Sequence, residues 1–150
     1  MIDVRFRPAV PTSRRDDADA SDSREGREAA ASDFERIGGE VGLRTVIDDF
    51  MDRVFVDPMI GYVFDKAPKP RIRNFEYRYA AHHLGAGVAY DGRSLADAHA
   101  KVTIFDGHFA RRLWILKETL EAHAVPADVA ARWLAHNAAQ RDAVMSGSCR

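Results

Sequence analysis

His99 is the side chain in this sequence whose position best suits a metal or cofactor ligand. It lies in residues 94–102, where Ser94 and Asp97 are typical of the start of a short helix. Leu95 precedes His99 by four residues, so the imidazole shares the apolar face of that helix. A neutral imidazole on an apolar face is a good iron ligand. The same spacing also fits a core histidine bonded to a carbonyl, and spacing alone leaves both interpretations open.

The other histidines and the cysteine lack the spacing of known metal or catalytic motifs. His82 and His83 are neighbours, and neighbouring side chains on a helix point about 100° apart, which hinders chelation of one ion. Cys149 is the one cysteine, and the sequence contains no CxxC, HxxxH or HExxH pattern. GxSxG, P-loop and GxGxxG patterns are also missing. Zinc binding, triad catalysis and a phosphate cradle therefore have no support.

The composition is that of an ordinary globular protein. Of the 150 residues, 46% are hydrophobic and 30% are charged, and the formal net charge is −1. This charge predicts no nucleic-acid partner, and no apolar stretch is long enough to predict membrane insertion. The sequence shows no secretory signal, and its single cysteine is typical of a reducing compartment. We therefore expect a cytoplasmic protein.

The composition changes near residue 32. Residues 1–31 are rich in Arg, Asp, Ser, Ala and Glu, and they are predicted to form a disordered or loosely ordered tail. Residues 32–146 are predicted to form one domain, followed by a short tail at residues 147–150.

Apolar residues at helical spacing predict an all-α domain with no sheet. Ser32 and Glu35 fit a capping box that opens a short first helix, which Gly38 and Gly39 end. Four long helices are expected at about residues 41–56, 70–84, 107–123 and 126–145. Asp106 is expected to cap the third of these, and Pro126 to lie in the first turn of the fourth.

Several short motifs recur in a characteristic order. They are residues 34–39 (FERIGG), 49–54 (DFMDRV) followed by Asp57-Pro58, Val63-Phe64, residues 90–95 (YDGRSL), His99, Ile104 with His108-Phe109, and Val125-Pro126. In this order and spacing, the chain resembles the truncated, two-on-two haemoglobins, most closely those of group I, from about Phe34 to Val144.

The resemblance implies a fold in which two antiparallel helix pairs sandwich haem b. His99 matches the proximal iron ligand of the family, and Phe64 matches the phenylalanine that packs against the porphyrin. The resemblance also implies haem contacts for six further side chains: Phe50, Ile72, Phe75, Leu95, Ile104 and Phe109.

On the opposite, distal side of the haem, the sequence departs from the family. Group I members usually have a tyrosine where this chain has Met51, so the hydroxyl that donates to bound oxygen is missing. Glu76 matches a position where the family often has glutamine. Tyr79 and Arg112 are expected near the same wall. The alternative for Glu76 and Arg112 is that both are solvated surface side chains.

Three functions follow as hypotheses. The first is a haem protein that binds O2, NO or CO, as in oxygen transport, with a possible reductase partner. The second is a haem-dependent redox enzyme on the same fold, such as a nitric oxide dioxygenase or a peroxidase-like enzyme. The third is a helical interaction module without a cofactor.

Overall fold

The computed structural model describes residues 30–145, which form seven α-helices and one 3₁₀ turn without any β-strand. The predicted tails lie outside these residues, apart from Ala30 and Ala31. The helices are α1 (Asp33–Arg36), α2 (Gly39–Val56), α3 (Lys69–His83), α4 (Leu95–His99), α5 (Asp106–Ala122), α6 (Ala127–Ala138) and α7 (Arg141–Met145); the 3₁₀ turn spans Gly61–Phe64.

The first two helices begin as the sequence predicts. The Ser32 side chain accepts a hydrogen bond from the Glu35 N–H, and the Glu35 carboxylate accepts one from the Ser32 N–H, each at 3.2 Å. Gly38 and Gly39 both have positive φ, of 100° and 65°, which a residue with a side chain rarely adopts. The chain therefore turns sharply between α1 and α2.

Helix α2 supplies the largest part of the core. Its buried residues are Leu43, Val46, Ile47, Phe50, Met51 and Val54. Their spacing of three and four places them on one stripe, and burying each such side chain contributes about 1.5–3 kcal/mol. This stripe packs against α3 on one side and α5 on the other, and α5 packs in turn against α6. The pairs α2–α3 and α5–α6 confirm the predicted two-on-two architecture.

Gly42 allows α1 to approach α2 closely. A Cβ atom at this position would overlap the Ile37 carbonyl oxygen and lie 2.8 Å from the Ile37 carbonyl carbon. Both obstructing atoms belong to the backbone, so they cannot move aside as a flexible side chain would.

We expect Gly42→Ala to destabilise the domain by about 3 kcal/mol, the upper end of the usual cost of overpacking. Gly107→Ala is the matched control, because a Cβ atom there would meet the mobile methyl end of Met59 at 3.1 Å. Urea unfolding of both variants measures the difference. Equal unfolding midpoints would contradict this account of the α1–α2 contact.

Asp57 connects the end of α2 to α5. Its carboxylate accepts backbone hydrogen bonds from Met59 and Ile60 at 3.0 and 3.1 Å, and a pair of bonds from the Arg111 guanidinium at 3.0 and 2.9 Å. Burial opposes ionisation of this side chain, but the hydrogen bonds from Arg111 and the backbone outweigh it and lower the pKa of Asp57. The 3₁₀ turn that follows is thereby held against α5.

Two predictions about the later helices are wrong. Asp106 does not cap α5; it is the first helical residue, and the Phe105 N–H instead donates to Nδ1 of His108 at 3.3 Å. The predicted helix over residues 126–145 is divided into α6 and α7. The Gln140 N–H bonds to the Asn137 carbonyl three residues back, so the last turn tightens and α7 turns to pack against α4.

Candidate functional site

His99 is the last residue of α4, a helix of five residues. The Ser94 side chain caps this helix by accepting a hydrogen bond from the Asp97 N–H at 3.1 Å. Nδ1 of His99 lies 2.8 Å from the Leu95 carbonyl oxygen. A carbonyl accepts hydrogen bonds and does not donate them, so Nδ1 must carry the proton. In the neutral ring, Nε2 then holds the lone pair, which is the arrangement of a histidine oriented for metal coordination.

Helices α3 and α4 leave apolar side chains partly uncovered. Ile72, Phe75, Tyr79 and His83 form one stripe of α3, yet all four are half-buried, and the fully buried residues of that helix are Ala80 and Ala81. No residue of α4 is fully buried, and Leu95 is half-buried. A flat apolar group between these elements would cover these side chains. The residues present therefore fit the haem that the sequence predicts.

A chain of polar side chains crosses from α3 through α5 to α6. Nη2 of Arg112 donates to the Glu76 carboxylate at 2.5 Å, and Nη1 donates to the Asn137 amide oxygen at 3.1 Å. The guanidinium carbon lies 5.1 Å from the centroid of the Phe50 ring, within reach of a cation–π contact. Glu76 and Arg112, predicted on one wall, are thus joined by a direct ion pair.

Tyr79 lies in a cluster of rings beside that polar chain. Its ring meets Tyr90 edge to face at 5.4 Å and His136 at 5.4 Å, and His136 stacks on His83 at 3.9 Å. Burial raises the pKa of Tyr79 and lowers the pKa of His83 and His136. Burial therefore favours the neutral form of all three side chains. Nε2 of His83 is buried without a hydrogen-bond partner among the described residues.

The remaining predicted site residues are divided between core and periphery. Phe50 and Met51 are each 1% exposed and belong to the core of α2, and Ile104 is also buried. Phe64 is half-buried, meets Phe55 edge to face at 5.5 Å and packs against the core, as does Ile72. Leu95, Phe75 and Phe109 are half-buried.

The structure thus brings Phe50, Glu76 and Arg112 into one group of contacts. The contact described for His99 is with its own helix, so its relation to that group stays a prediction. The roles of all twelve predicted residues toward haem or a gas likewise stay predictions.

Asn137 is the clearest residue of this region that sequence reasoning missed. It is 8% exposed, its amide N–H donates to the Trp133 carbonyl at 3.0 Å, and its oxygen faces Arg112. A signal was present, because Asn137 follows the apolar Val129 and Trp133 on the same helical stripe. A polar residue on a buried stripe requires a partner.

The model of the bacterial-like globin family matches residues 32–145 of the chain. Among curated relatives, the group 1 truncated hemoglobin GlbN of Synechocystis sp. is 28% identical over 102 residues, which are 65% of this chain and 82% of that protein. The GlbN of Mycolicibacterium paratuberculosis is 29% identical over 98 residues, which are 65% of this chain and 72% of that protein.

Similarity of fold extends further than similarity of sequence. The crystal structure of the 2/2 hemoglobin of Synechococcus sp. PCC 7002, in the cyanomet state and with covalently attached heme, aligns with a TM-score of 0.74 at 20% identity. The alignment covers 77% of this chain and 99% of that one. The described residues thus have the fold of a 2/2 haemoglobin.

Proposed function

The chain belongs to the bacterial-like globin family and binds haem, and we propose that His99 ligates the iron of a haem b whose opposite face takes a diatomic gas. Bound haem would supply an iron with a sixth coordination position for O2, NO or CO. The single observation that supports this proposal best is the hydrogen bond from Nδ1 of His99 to the Leu95 carbonyl at 2.8 Å. It fixes the ring and leaves the Nε2 lone pair for iron.

Apolar side chains would hold the porphyrin and keep water from the iron. The residues proposed for this role are Phe50, Phe64, Ile72, Phe75, Leu95, Ile104 and Phe109. Several of them are half-buried, and covering such surface stabilises a complex by about 25 cal/mol per Å². We therefore expect bound haem to add to the stability of the domain.

The gas-binding side is proposed to lie near Met51, Glu76, Tyr79 and Arg112. Met51 can offer a bound ligand no hydrogen bond, because a thioether sulfur is only a weak acceptor. Glu76 is paired with Arg112, so its charge is balanced inside the protein. We include oxygen binding and oxygen transport in this proposal.

A reductase and a cytoplasmic location complete the proposal. O2 and CO bind ferrous haem iron, so a reductase that returns the iron to this state is the expected partner. The single cysteine supports a reducing compartment. Within residues 30–145, no helix is long and apolar enough to cross a membrane.

Carbon monoxide tests the proposed gas binding directly. We expect the protein, loaded with haem and reduced by dithionite, to give a shifted, sharpened Soret band when CO is added. His123→Ala is a matched control, because His123 is half-buried and hydrogen-bonded to Asp49 of α2. The spectrum of this variant should match that of the parent protein. A reduced protein whose Soret band does not respond to CO would contradict gas binding.

A further inference from the structure

Arg112 is a charged side chain that contacts with three neighbouring side chains hold in place. Its side chain is 26% exposed and that of its partner Glu76 is 24% exposed. Removing charges this far from water is costly unless each is paired and hydrogen-bonded. The three contacts to Glu76, Asn137 and the face of Phe50 provide that compensation.

These contacts also fix the orientation of the guanidinium. The Asn137 amide is itself anchored, because its N–H group donates to the Trp133 carbonyl and its oxygen is left to accept from Arg112. The Phe50 ring, 1% exposed, is a rigid support beneath the guanidinium. A guanidinium held on three sides loses little further freedom when it meets a ligand.

The hydrogen bonds described for Arg112 use two of the five N–H groups that a guanidinium carries. The neighbouring side chains Met51, Ile72 and Phe75 have no donor to offer. Arg112, Tyr79 and the His83 ring, which lies on the same stripe of α3 as Tyr79, are the side chains of this region that could donate, and Arg112 is the one among them with a permanent positive charge.

We propose that Arg112 makes the ligand site selective for small inorganic monoanions at ferric haem, with fluoride as the simplest representative. The inference rests on the proposed haem site and adds the class of ligand. Arg112 would donate to the anion, while the Glu76 carboxylate would oppose it by charge repulsion. The two side chains thus have opposite effects on the same ligand.

Fluoride titration of the ferric, haem-loaded full chain tests this inference at fixed pH and ionic strength. Hydrogen bonds to charged groups are strong enough that Arg112→Met should weaken fluoride binding about ten- to a hundred-fold. Arg53→Met is the matched control, because it removes an arginine from an i,i+4 pair with Asp49 on α2 and should leave fluoride binding unchanged. The affinity of the ferrous forms for CO, a neutral ligand, should change little in both variants.

Glu76→Gln provides the second, independent readout. Glutamine keeps an oxygen that accepts from Arg112 but removes the negative charge, so fluoride binding should strengthen about five-fold or more. If Arg112→Met fails to retain haem, the Glu76→Gln variant alone tests the inference. Fluoride binding by Glu76→Gln that is unchanged or weaker than in the parent overturns the inference.

The remaining outcomes are equally decisive. Fluoride affinity of Arg112→Met equal to that of the parent, with haem retained, would show that Arg112 has a structural role only. An equal loss of fluoride and CO affinity would indicate a general disturbance of the pocket and would also overturn the inference. Failure of the proposed haem site itself would be seen differently, as haem retention that does not depend on His99.

Discussion

Replacing His99 with alanine is expected to increase the rate of haem loss by at least about a hundred-fold. Residues that merely orient a metal ligand change metal affinity by 10- to 100-fold, and His99 is proposed to be the ligand itself. Transfer of haem from the ferric protein to an excess of apomyoglobin measures this rate. Adding free imidazole to His99→Ala should restore part of the parent spectrum, because the added ring replaces the missing one.

His83→Ala and His136→Ala are the controls for this experiment. Both histidines are half-buried, and their rings stack on each other at 3.9 Å. They therefore test whether the loss of any partly buried histidine increases the rate of haem loss. They should lose haem far more slowly than His99→Ala does. If His99→Ala retains haem as well as the parent does, His99 is not the iron ligand.

Replacing Met51 with tyrosine is expected to slow oxygen release about ten-fold or more. The oxygen ligand of a ferrous globin carries partial negative charge, so a nearby hydroxyl that donates to it should hold it longer. Met51 is 1% exposed in a packed core, and a larger side chain there could act through shape alone. Met51→Phe is therefore the necessary control, because it adds the ring without the hydroxyl.

Stopped-flow measurement of oxygen release compares the three proteins. The account predicts that the tyrosine variant releases oxygen more slowly than the phenylalanine variant, which should resemble the parent. Equal rates in the tyrosine and phenylalanine variants would contradict a donor-poor pocket beside Met51. If the parent also releases oxygen slowly, that result would point to Arg112 or Tyr79 as the donor that already holds it.

Local sequence patterns were sufficient to predict the first half of the fold. The Ser32 and Glu35 capping box and the apolar stripe of α2 depend on residues close in sequence, and the structure has both. The long helices followed from apolar residues at helical spacing, and their pairing followed from the resemblance to truncated haemoglobins. The structure confirms the pairing and three of the four long helices, whereas the fourth is divided.

Two kinds of feature were not predictable in the same way: the choice between two side chains that could cap one helix, and contacts between residues distant in sequence. Asp106 was the expected cap of α5, but the His108 ring, three residues after Phe105, is the side chain that accepts the Phe105 N–H. The division between α6 and α7 falls at Ala139 and Gln140, where neither glycine nor proline signals a break. The packing of α7 against α4 involves residues more than forty positions apart.

The candidate site also combines features that the sequence predicted with features that it could not predict. The resemblance to truncated haemoglobins placed Glu76 and Arg112 near one wall, but it could not specify that they form an ion pair or that Arg112 also bonds to Asn137. The stacking of His83 on His136 brings α3 together with α6, across 53 residues, and depends on how the two helix pairs pack. The orientation of His99, in contrast, depends on Leu95 four residues earlier, and its spacing was visible in the sequence.

The central claim is that His99 holds the haem iron, and resonance Raman spectroscopy of the ferrous, ligand-free protein tests it most directly. The account predicts an iron–imidazole stretching band in the parent, in His83→Ala and in His136→Ala. It predicts that this band is missing in His99→Ala and returns when free imidazole is added. An iron–imidazole band of undiminished intensity in His99→Ala without added imidazole would contradict the claim.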